Sequence, residues 1–340
     1  MSSSNTAAET QDPRLHDLAR RAVALWDLEV ESLEPIKVRE NAVYGVRSRD
    51  GRRAVLRIHR HGYHSNEALR SEFEWMEALR HAGISVPRPL PSRAGRSFEE
   101  LETANTPAAR QVDVLEWLDG VHLGSIEQGI SAEAGSVEAA YRAIGEVAAR
   151  IHNQAADWPR PSGFVRHAWD LGGLVGGRPF WGPFWQLQSL SASQRTLMET
   201  VRARLQRDLE EFGSGPDRFG LIHADLVPEN VLMNGSRLSV LDFDDAGFGW
   251  HLFEIATTLY FIRQERYYAR ALDAVVAGYR AHRALPDSHL ERLPAFLAAR
   301  GTTYLGWVDS RRGERAAQEL APQVIELAMS AAEEYLSSPG

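Results

Sequence analysis

The 340-residue sequence contains no cysteine, and Lys37 is the only lysine among its 38 basic residues. The absence of cysteine excludes disulfide bonds, thiolate metal sites and cysteine nucleophiles. A reaction that ordinarily uses a lysine must therefore use Lys37 or an arginine in its place.

The sequence also has no apolar run near the roughly 20 residues that cross a bilayer. Its first residues have neither the basic start nor the apolar stretch of a secretory signal peptide. The 46 acidic residues outnumber the basic ones and give a net charge of −8, which disfavours nucleic acid and anionic membranes as partners. We therefore expect a cytoplasmic protein that binds neither nucleic acid nor membrane.

The N-terminal third of the sequence mixes helix and strand patterns. Residues 1–12 are small and polar and are predicted to form a disordered tail. Helices are predicted from Pro13 and in a periodic segment that ends at Gly83. Strands are predicted at residues 36–45, 46–48, 54–58 and 111–117, and a loop at residues 92–109. This order predicts an α+β lobe over residues 13–118.

The rest of the sequence is predominantly helical. Helices are predicted at residues 138–153, 192–212, 250–263 and 266–282, and from residue 288 to the C-terminus. One β-rich interruption, at residues 221–243, breaks this pattern. We therefore expect a mostly helical lobe over residues 119–340 with one short β segment inside it.

The β-rich interruption contains a hairpin signal, because Asn234-Gly235 separates two apolar runs. Such a hairpin places Asn230, before its first strand, near Asp242, at the end of its second. Asp225 lies five residues before Asn230, on the loop that leads into the hairpin. Three side chains that carry oxygen atoms are therefore predicted to converge at one end of the hairpin.

Phosphoryl transfer explains this set of residues. The reaction needs Mg²⁺ held by oxygen ligands, and Asn230 and Asp242 suit that role. It also needs a carboxylate that orients the acceptor hydroxyl, which Asp225 can supply. Side chains alternate at a strand end, so Asp244 rather than Asp245 is predicted to share the metal with Asp242. The spacing H-x-D-x-x-x-x-N followed by D-F-x favours this chemistry over a hairpin whose acidic ends are merely solvated.

The stretches LIHADLVPENVLMNG and LSVLDFDDAGFGWHLFEIA resemble the aminoglycoside phosphotransferase superfamily, which includes choline kinase and type II homoserine kinase. Within it the sequence is most similar to the stress response kinase A group, and the resemblance extends over residues 33–304. It implies a bilobal, protein-kinase-like fold that uses ATP and Mg²⁺. A small β-rich N-lobe would bind the nucleotide, and a larger, mostly helical C-lobe would carry the catalytic residues and bind the acceptor.

Under this resemblance, a hairpin near Glu40 and Asn41 covers the nucleotide phosphates. The two residues match the E-N-x-V-Y sequence of the stress response kinase group. The segment is poor in glycine, which backbone contacts to phosphate ordinarily favour. Without the resemblance, an ordinary hairpin is the simpler interpretation.

A cation on the following strand is expected to bind the α- and β-phosphates, and Arg57 occupies the position where protein kinases have lysine. Arginine can serve because it is always charged and binds phosphate through a planar fork. Lys37 is the alternative, but the strand of Arg57 leads directly to the helix that carries the carboxylate partner. Glu72, at the edge of the apolar face of that helix, is the predicted partner, and Glu74 is the alternative.

The strand at residues 111–117 ends in the segment that the resemblance assigns to the hinge between the lobes. Backbone groups of Glu116, Trp117 and Leu118 are expected to read the edge of the adenine. This expectation rests on the resemblance alone.

Several other positions are interpreted as structural. His223 is expected to bind backbone in the catalytic loop, because Asp225 already meets the acid–base requirement. His152 is expected to be a packed, buried histidine. Glu254 stands where the family usually has the aspartate that anchors the catalytic loop. The aromatic residues within 180–185 are predicted either to pack between helices or to form a cation–π cage.

These observations predict an ATP- and Mg²⁺-dependent phosphotransferase that acts on a hydroxyl group of a small molecule, such as an amino acid, an amino alcohol or an aminoglycoside. The acidic C-terminal lobe favours a cationic acceptor. The alternatives are a Ser/Thr protein kinase of the stress response kinase A type and a nucleotide-binding regulator without catalytic activity. A monomer and a homodimer are both compatible with the sequence.

Overall fold

A computed structural model describes residues 13–38, 41–103, 106–125, 129–131 and 135–338. The predicted tail at residues 1–12 and the predicted site residue Glu40 lie outside these ranges. The chain divides into two compact units. The first contains Met1–His81, Val86–Asp119 and Pro161–Val165, and the second contains Ala82–Ser85, Gly120–Arg160 and Arg166–Gly340.

The first unit is built on an antiparallel sheet with the strand order β1-β2-β3-β5-β4. Its elements are α1 (Pro13–Val23), β1 (Val30–Val38), β2 (Ala42–Ser48), β3 (Arg53–Ile58), α2 (Asn66–His81), β4 (Glu99–Thr103) and β5 (Thr106–Glu116). Apolar side chains alternate along β3, where Ala54, Leu56 and Ile58 are buried against residues of α1. Burial of this face holds the sheet and the helix together.

Two predictions for this unit are wrong in detail. The predicted strand at residues 36–45 is two strands, β1 and β2, and β1 begins as early as Val30. Pro35 is tolerated in β1 because that strand lies at the sheet edge. The predicted loop at residues 92–109 contains β4, whose acidic sequence gives no strand signal. Buried Glu99 is compensated there by an ion pair with Arg96.

The second unit is mostly helical. Its elements are β6 (Val121–His122), β7 (Gly124–Ser125), β8 (Gly129–Ile130), α3 (Val137–Asp157), β9 (Ala168–Trp169), α4 (Leu171–Val175), α5 (Ala192–Phe212), β10 (Phe219–Ile222), β11 (Val231–Asn234), β12 (Arg237–Val240), β13 (Gly247–Trp250), α6 (His251–Leu259), α7 (Tyr268–Arg280), α8 (Asp287–Leu290), α9 (Leu293–Ser310) and α10 (Arg315–Ser337). Together with the first unit, this composition confirms the predicted α+β class.

The predicted hairpin is present as β11 and β12, which pair from Val231 opposite Val240 to Asn234 opposite Arg237. Gly235 adopts a φ of 60° in the turn, a conformation that favours glycine. The prediction of a single β interruption is wrong, because β10 pairs with β13 and β13 pairs with β9. Strands of two to four residues are too short to give an alternating pattern.

The C-terminal segment, predicted as helical from residue 288, consists of α8, α9 and α10. Helix α9 is buried along most of its length and packs against α6 and α10. It is apolar on nearly all sides, as expected for an interior helix. Among the described helices, none combines the length and apolar character that membrane crossing requires.

Candidate active site

The loop after β10 is anchored by a buried carboxylate from α6. Oε2 of Glu254 accepts hydrogen bonds from the backbone N–H groups of His223, at 2.6 Å, and Ala224, at 3.2 Å. Ala224 has a φ of 64°, a strained conformation for a residue with a Cβ, and the two bonds stabilise it. Burial raises the pKa of Glu254. Glu254 therefore anchors the loop backbone although the family usually has aspartate at this position.

The imidazole of His223 joins this loop to the residue before Asp242. Its Nε2 lies 2.8 Å from the carbonyl oxygen of Leu241, which can only accept, so Nε2 carries the proton. Its Nδ1 then accepts a hydrogen bond from the backbone N–H of Asp225 at 3.3 Å. Both ring nitrogens of His223 are hydrogen-bonded to the backbone, so the ring links the loop at Asp225 to the backbone at Leu241.

Two further histidines, His152 and His251, lie near the carboxylate of Glu254. His152 is buried, its Nδ1 is 2.8 Å from the hydroxyl of Tyr279, and its ring stacks on His251 with 4.4 Å between centroids. Burial lowers the pKa of His152 to about 3, so the ring is neutral near pH 7. Its Nε2 lies 3.6 Å from Oε2 of Glu254, too far for a hydrogen bond, and no ion pair forms with a neutral ring.

Both carboxylate oxygens of Asp225 are held by donors. Oδ2 accepts a hydrogen bond from Nδ2 of Asn230 at 2.8 Å. Oδ1 accepts one from Nη2 of Arg300, on α9, at 2.9 Å. The Asp225 side chain nevertheless keeps 25% of its surface exposed, so a ligand can reach it. Arg300 was not predicted, because no local motif marks a residue 75 positions away.

The predicted metal ligands lie around the same loop. The amide nitrogen of Asn230 donates to the side chain and the carbonyl of Asp225, so its carbonyl oxygen Oδ1 is the atom suited to a metal. The backbone N–H of Leu241 donates to the backbone carbonyl of Asn230 at 2.8 Å, which brings Asp242 to this end of the hairpin. Asp242 is exposed and Asp244 is buried. Two carboxylates and an amide oxygen fit a divalent cation that prefers oxygen ligands.

The backbone of the loop at residues 243–246 is held by side chains that the sequence did not reveal. Arg166 donates hydrogen bonds to the carbonyls of residues 243, 244 and 246 at 2.6–3.1 Å. The carbonyl of Asp245 lies 2.8 Å from Nε1 of Trp169 and 3.0 Å from Nε2 of His167. These bonds fix the peptide groups that carry Asp244 and Asp245.

In the first unit, Arg57 lies in a buried cluster of charges. Its Nη2 is 3.0 Å from Oε1 of Glu72, whereas Glu74 is exposed. Its Nε and Nη2 also form a fork with the carboxylate of Asp113, at 3.0–3.2 Å. Asp113 is directly opposite Arg57 in the register of β3 and β5 and also contacts His59. Burial opposes ionisation of Asp113, but the charges of Arg57 and His59 outweigh it and lower its pKa.

The structure changes the expectation for the hinge residues. The backbone N–H of Glu116 donates to the carbonyl of Arg88 at 2.8 Å, so this group is already bonded. The side chain of Glu116 accepts a hydrogen bond from Nη1 of Arg80 at 3.1 Å. Trp117 and Leu118 follow the end of β5, and their backbone groups, together with the carbonyl of Glu116, stay the predicted contacts to adenine.

Of the predicted phosphate-covering pair, Asn41 is described. It is 7% exposed, and its Oδ1 lies 3.3 Å from the backbone N–H of Arg60, which donates to it. This bond ties the start of β2 to the end of β3. Glu40, the other member of the pair, is outside the described residues.

Two tryptophan rings in the aromatic segment at residues 180–185 contact arginine side chains of the same chain. The ring of Trp181 lies 5.1 Å from the guanidinium of Arg300, and that of Trp185 lies 3.8 Å from the guanidinium of Arg202. The prediction was either packing between helices or a cation–π cage for a ligand. These contacts favour packing, because one arginine of the protein already lies over each indole ring.

Comparison with known proteins gives a consistent result. The family model described as "Phosphotransferase enzyme family" matches residues 32–296. A structure of a microcompartment-associated aminopropanol kinase aligns with a TM-score of 0.82 and 32% identity, over 95% of this chain and 98% of that one. An amicoumacin kinase in complex with AMP-PNP and Ca²⁺ aligns with a TM-score of 0.76, at 19% identity, over 98% of this chain and 96% of that one. A homoserine kinase of Sinorhizobium fredii is 30% identical, and the alignment covers 67% of this chain and 63% of that protein.

Proposed function

Because the chain belongs to the phosphotransferase enzyme family, we propose that it transfers the γ-phosphoryl group of ATP to the hydroxyl group of an amino alcohol. Kinase relatives imply the use of ATP with a divalent metal, and Mg²⁺ is our proposal for that metal. The predicted family is confirmed. The narrower resemblance to the stress response kinase A group stays a prediction.

The observation that carries this proposal is the carboxylate of Asp225, which is fixed at both oxygens and remains partly exposed. Such a carboxylate can accept the proton of an alcohol while the alcohol oxygen forms a bond to the γ-phosphorus. The bond between that phosphorus and the β–γ bridging oxygen breaks, and ADP leaves. The products are a phosphomonoester and ADP, and the proton passes through Asp225 to solvent.

The other predicted residues have roles that follow from their positions. Bound Mg²⁺–ATP would supply the transferable phosphoryl group and the positive charge that neutralises it. Asn230, Asp242 and Asp244 would hold the metal with their oxygen atoms. Arg57, kept in place by Glu72, would bind the α- and β-phosphates through its guanidinium.

The acceptor is assigned from chemistry that the relatives share. Aminopropanol and homoserine both combine an amino group with a primary or secondary hydroxyl, and kinases for both are among the similar proteins. The alignment with the aminopropanol kinase covers nearly the whole of both chains, which favours an amino alcohol. A protein acceptor and a purely regulatory role are the alternatives that the experiment must separate.

The test is an ADP-release assay on the full chain with Mg²⁺–ATP and separate acceptors. These are 1-amino-2-propanol, ethanolamine, choline, homoserine, an aminoglycoside and casein. We expect release with an amino alcohol, a phosphomonoester signal in ³¹P NMR, and neither in Asp225→Asn. Release with casein alone would support a protein kinase. Nucleotide binding without release from any acceptor would support a regulator.

The Arg57→Lys substitution is expected to raise the KM for ATP by about tenfold, because a lysine cannot bind Asp113 as a fork and contact Glu72 at once. The effect on kcat should be smaller, because the charge is kept. Steady-state kinetics with varied ATP measures both parameters. Arg52→Lys, exposed just before the same strand and paired with Asp50, is the matched control and should behave as wild type. An unchanged KM in Arg57→Lys, with a collapse in Lys37→Ala, would transfer the phosphate-binding role to Lys37.

A further inference from the structure

Arg300 is a fully buried arginine in α9 whose charge faces the active site. Its side chain has 0% exposure, and its Nη2 donates to Oδ1 of Asp225 at 2.9 Å and to the hydroxyl of Tyr304 at 2.8 Å. Aromatic rings surround the guanidinium, with Tyr304 at 4.4 Å, Trp181 at 5.1 Å and Phe253 at 5.6 Å from its central carbon. A permanent positive charge is therefore held against Asp225 in an apolar environment.

The hydrogen bonds of Arg300 are unusual for an arginine that only supports a fold. Its Nε and Nη1 are buried and make no hydrogen bond to any residue that the structure describes. Buried polar groups are ordinarily satisfied, since an unmet buried donor destabilises the folded state. Among the described residues, Asp225 is the one carboxylate within ion-pair distance of Arg300. Asp225 is therefore the charged partner of the Arg300 guanidinium, and one hydrogen bond joins the two side chains.

That contact sets the orientation of the Asp225 carboxylate. The torsion of a carboxylate about its Cβ–Cγ bond is broad, so a single hydrogen bond leaves it free to turn. Asn230 holds Oδ2 from one side, and Arg300 holds Oδ1 from the other. With both oxygens held, Oδ1 keeps a lone pair in a fixed direction for an incoming hydroxyl proton.

We propose that Arg300 is a positioning residue that orients the carboxylate of Asp225 toward the acceptor hydroxyl, an inference that rests on the proposed function. Tyr304 supports it by holding the same Nη2 atom. The consequence is that removing the guanidinium should slow phosphoryl transfer without weakening nucleotide binding.

The experiment uses Arg300→Met and Arg300→Lys in the full chain. Methionine fills the apolar surroundings, and the Asp225 carboxylate that loses its partner is 25% exposed, so water can solvate it. A thermal unfolding curve checks that the variant is folded. We expect kcat of Arg300→Met to fall by about 10²-fold, the effect of a misplaced catalytic group, with KM for ATP changed by no more than about twofold. Arg300→Lys should recover part of the loss, because the ammonium group keeps the charge but lacks the fixed N–H directions of the planar guanidinium.

A control variant tests whether the loss of another largely buried arginine has the same effect. Arg204, on α5, donates to the backbone carbonyls of Tyr335, Leu336 and Ser338 at the end of α10. Arg204→Met should lower the thermal unfolding temperature and leave kcat of the folded protein unchanged. If Arg300→Met behaved in the same way, Arg300 would be structural and the proposal would be overturned.

A crystal structure of Arg300→Met supplies a readout that does not depend on any acceptor. We expect the carboxylate of Asp225 to turn about its Cβ–Cγ bond while its contact with Asn230 is kept. An unmoved carboxylate would overturn the inference even if activity fell. If the wild type transferred phosphate to no acceptor, the proposed function would fail, and the carboxylate orientation would still decide the role of Arg300.

Discussion

The Asp225→Asn substitution is expected to lower kcat by roughly 10²–10⁴-fold, the usual contribution of a general base, while Mg²⁺–ATP binds as in the wild type. The carboxylate that we propose accepts the hydroxyl proton is lost, but the predicted phosphate and metal contacts remain. Steady-state ADP release gives kcat, and calorimetric titration of ATP with and without Mg²⁺ gives the affinity.

The environment of Asp225 calls for a second variant. Both of its partners, Asn230 and Arg300, are donors, so an amide must turn its own NH₂ group toward one of them. Asp225→Ala offers no donor to either partner and should show a loss of the same order. Asp273→Asn, an exposed position on α7, is the matched control and should keep full activity. Turnover near the wild-type level in both Asp225 variants would remove the basis for the kinase proposal.

The Asp242→Asn substitution is expected to abolish the Mg²⁺-dependent part of the ATP affinity and to lower kcat by about 10³-fold or more, since a bound metal contributes several kcal/mol. Asp242 has a φ of 62°. Asparagine tolerates this left-handed conformation as well as aspartate does, so the substitution removes charge with little backbone strain. Calorimetry at a series of Mg²⁺ concentrations measures the effect.

The assignment of the two aspartates can be reversed by the same titrations. Asp217→Asn, at a surface carboxylate paired with Arg218, is the matched control and should titrate as wild type. Normal Mg²⁺ dependence in Asp242→Asn, together with its loss in Asp225→Asn, would exchange the roles of base and metal ligand. The proposed assignment and its reversal would both keep Asp225 and Asp242 in the proposed active site.

The parts of the site that could be predicted are those set by short-range sequence. The Asn234-Gly235 turn and its flanking apolar runs determine the hairpin, and the hairpin brings Asn230 close to Asp242. The contact of Asp225 with Asn230 spans five residues and follows from the same loop. Local turn chemistry is visible in one sequence, because it depends only on neighbouring residues.

The parts that could not be predicted depend on distant packing. Arg300 is 75 residues from Asp225, and Arg166 is 78 residues from Asp244. Asp113 is 56 residues from Arg57, and it would have been found only if the register of β3 and β5 had been known. A buried charged residue gives no periodic signal, so its partner is visible only once the chain is folded.

Arg57 on β3 also determines how the protein reacts with reagents that modify lysine amines. A lysine in such a position is a nucleophile when it loses its proton, and acylating reagents modify that amine. The guanidinium of Arg57 stays protonated in water, so such reagents do not modify it. Lys37 is the one side-chain amine in the sequence, and it lies on β1, separated from β3 by β2. Amine-directed labels and lysine acetylation therefore have no target at the position of Arg57, where protein kinases have a lysine.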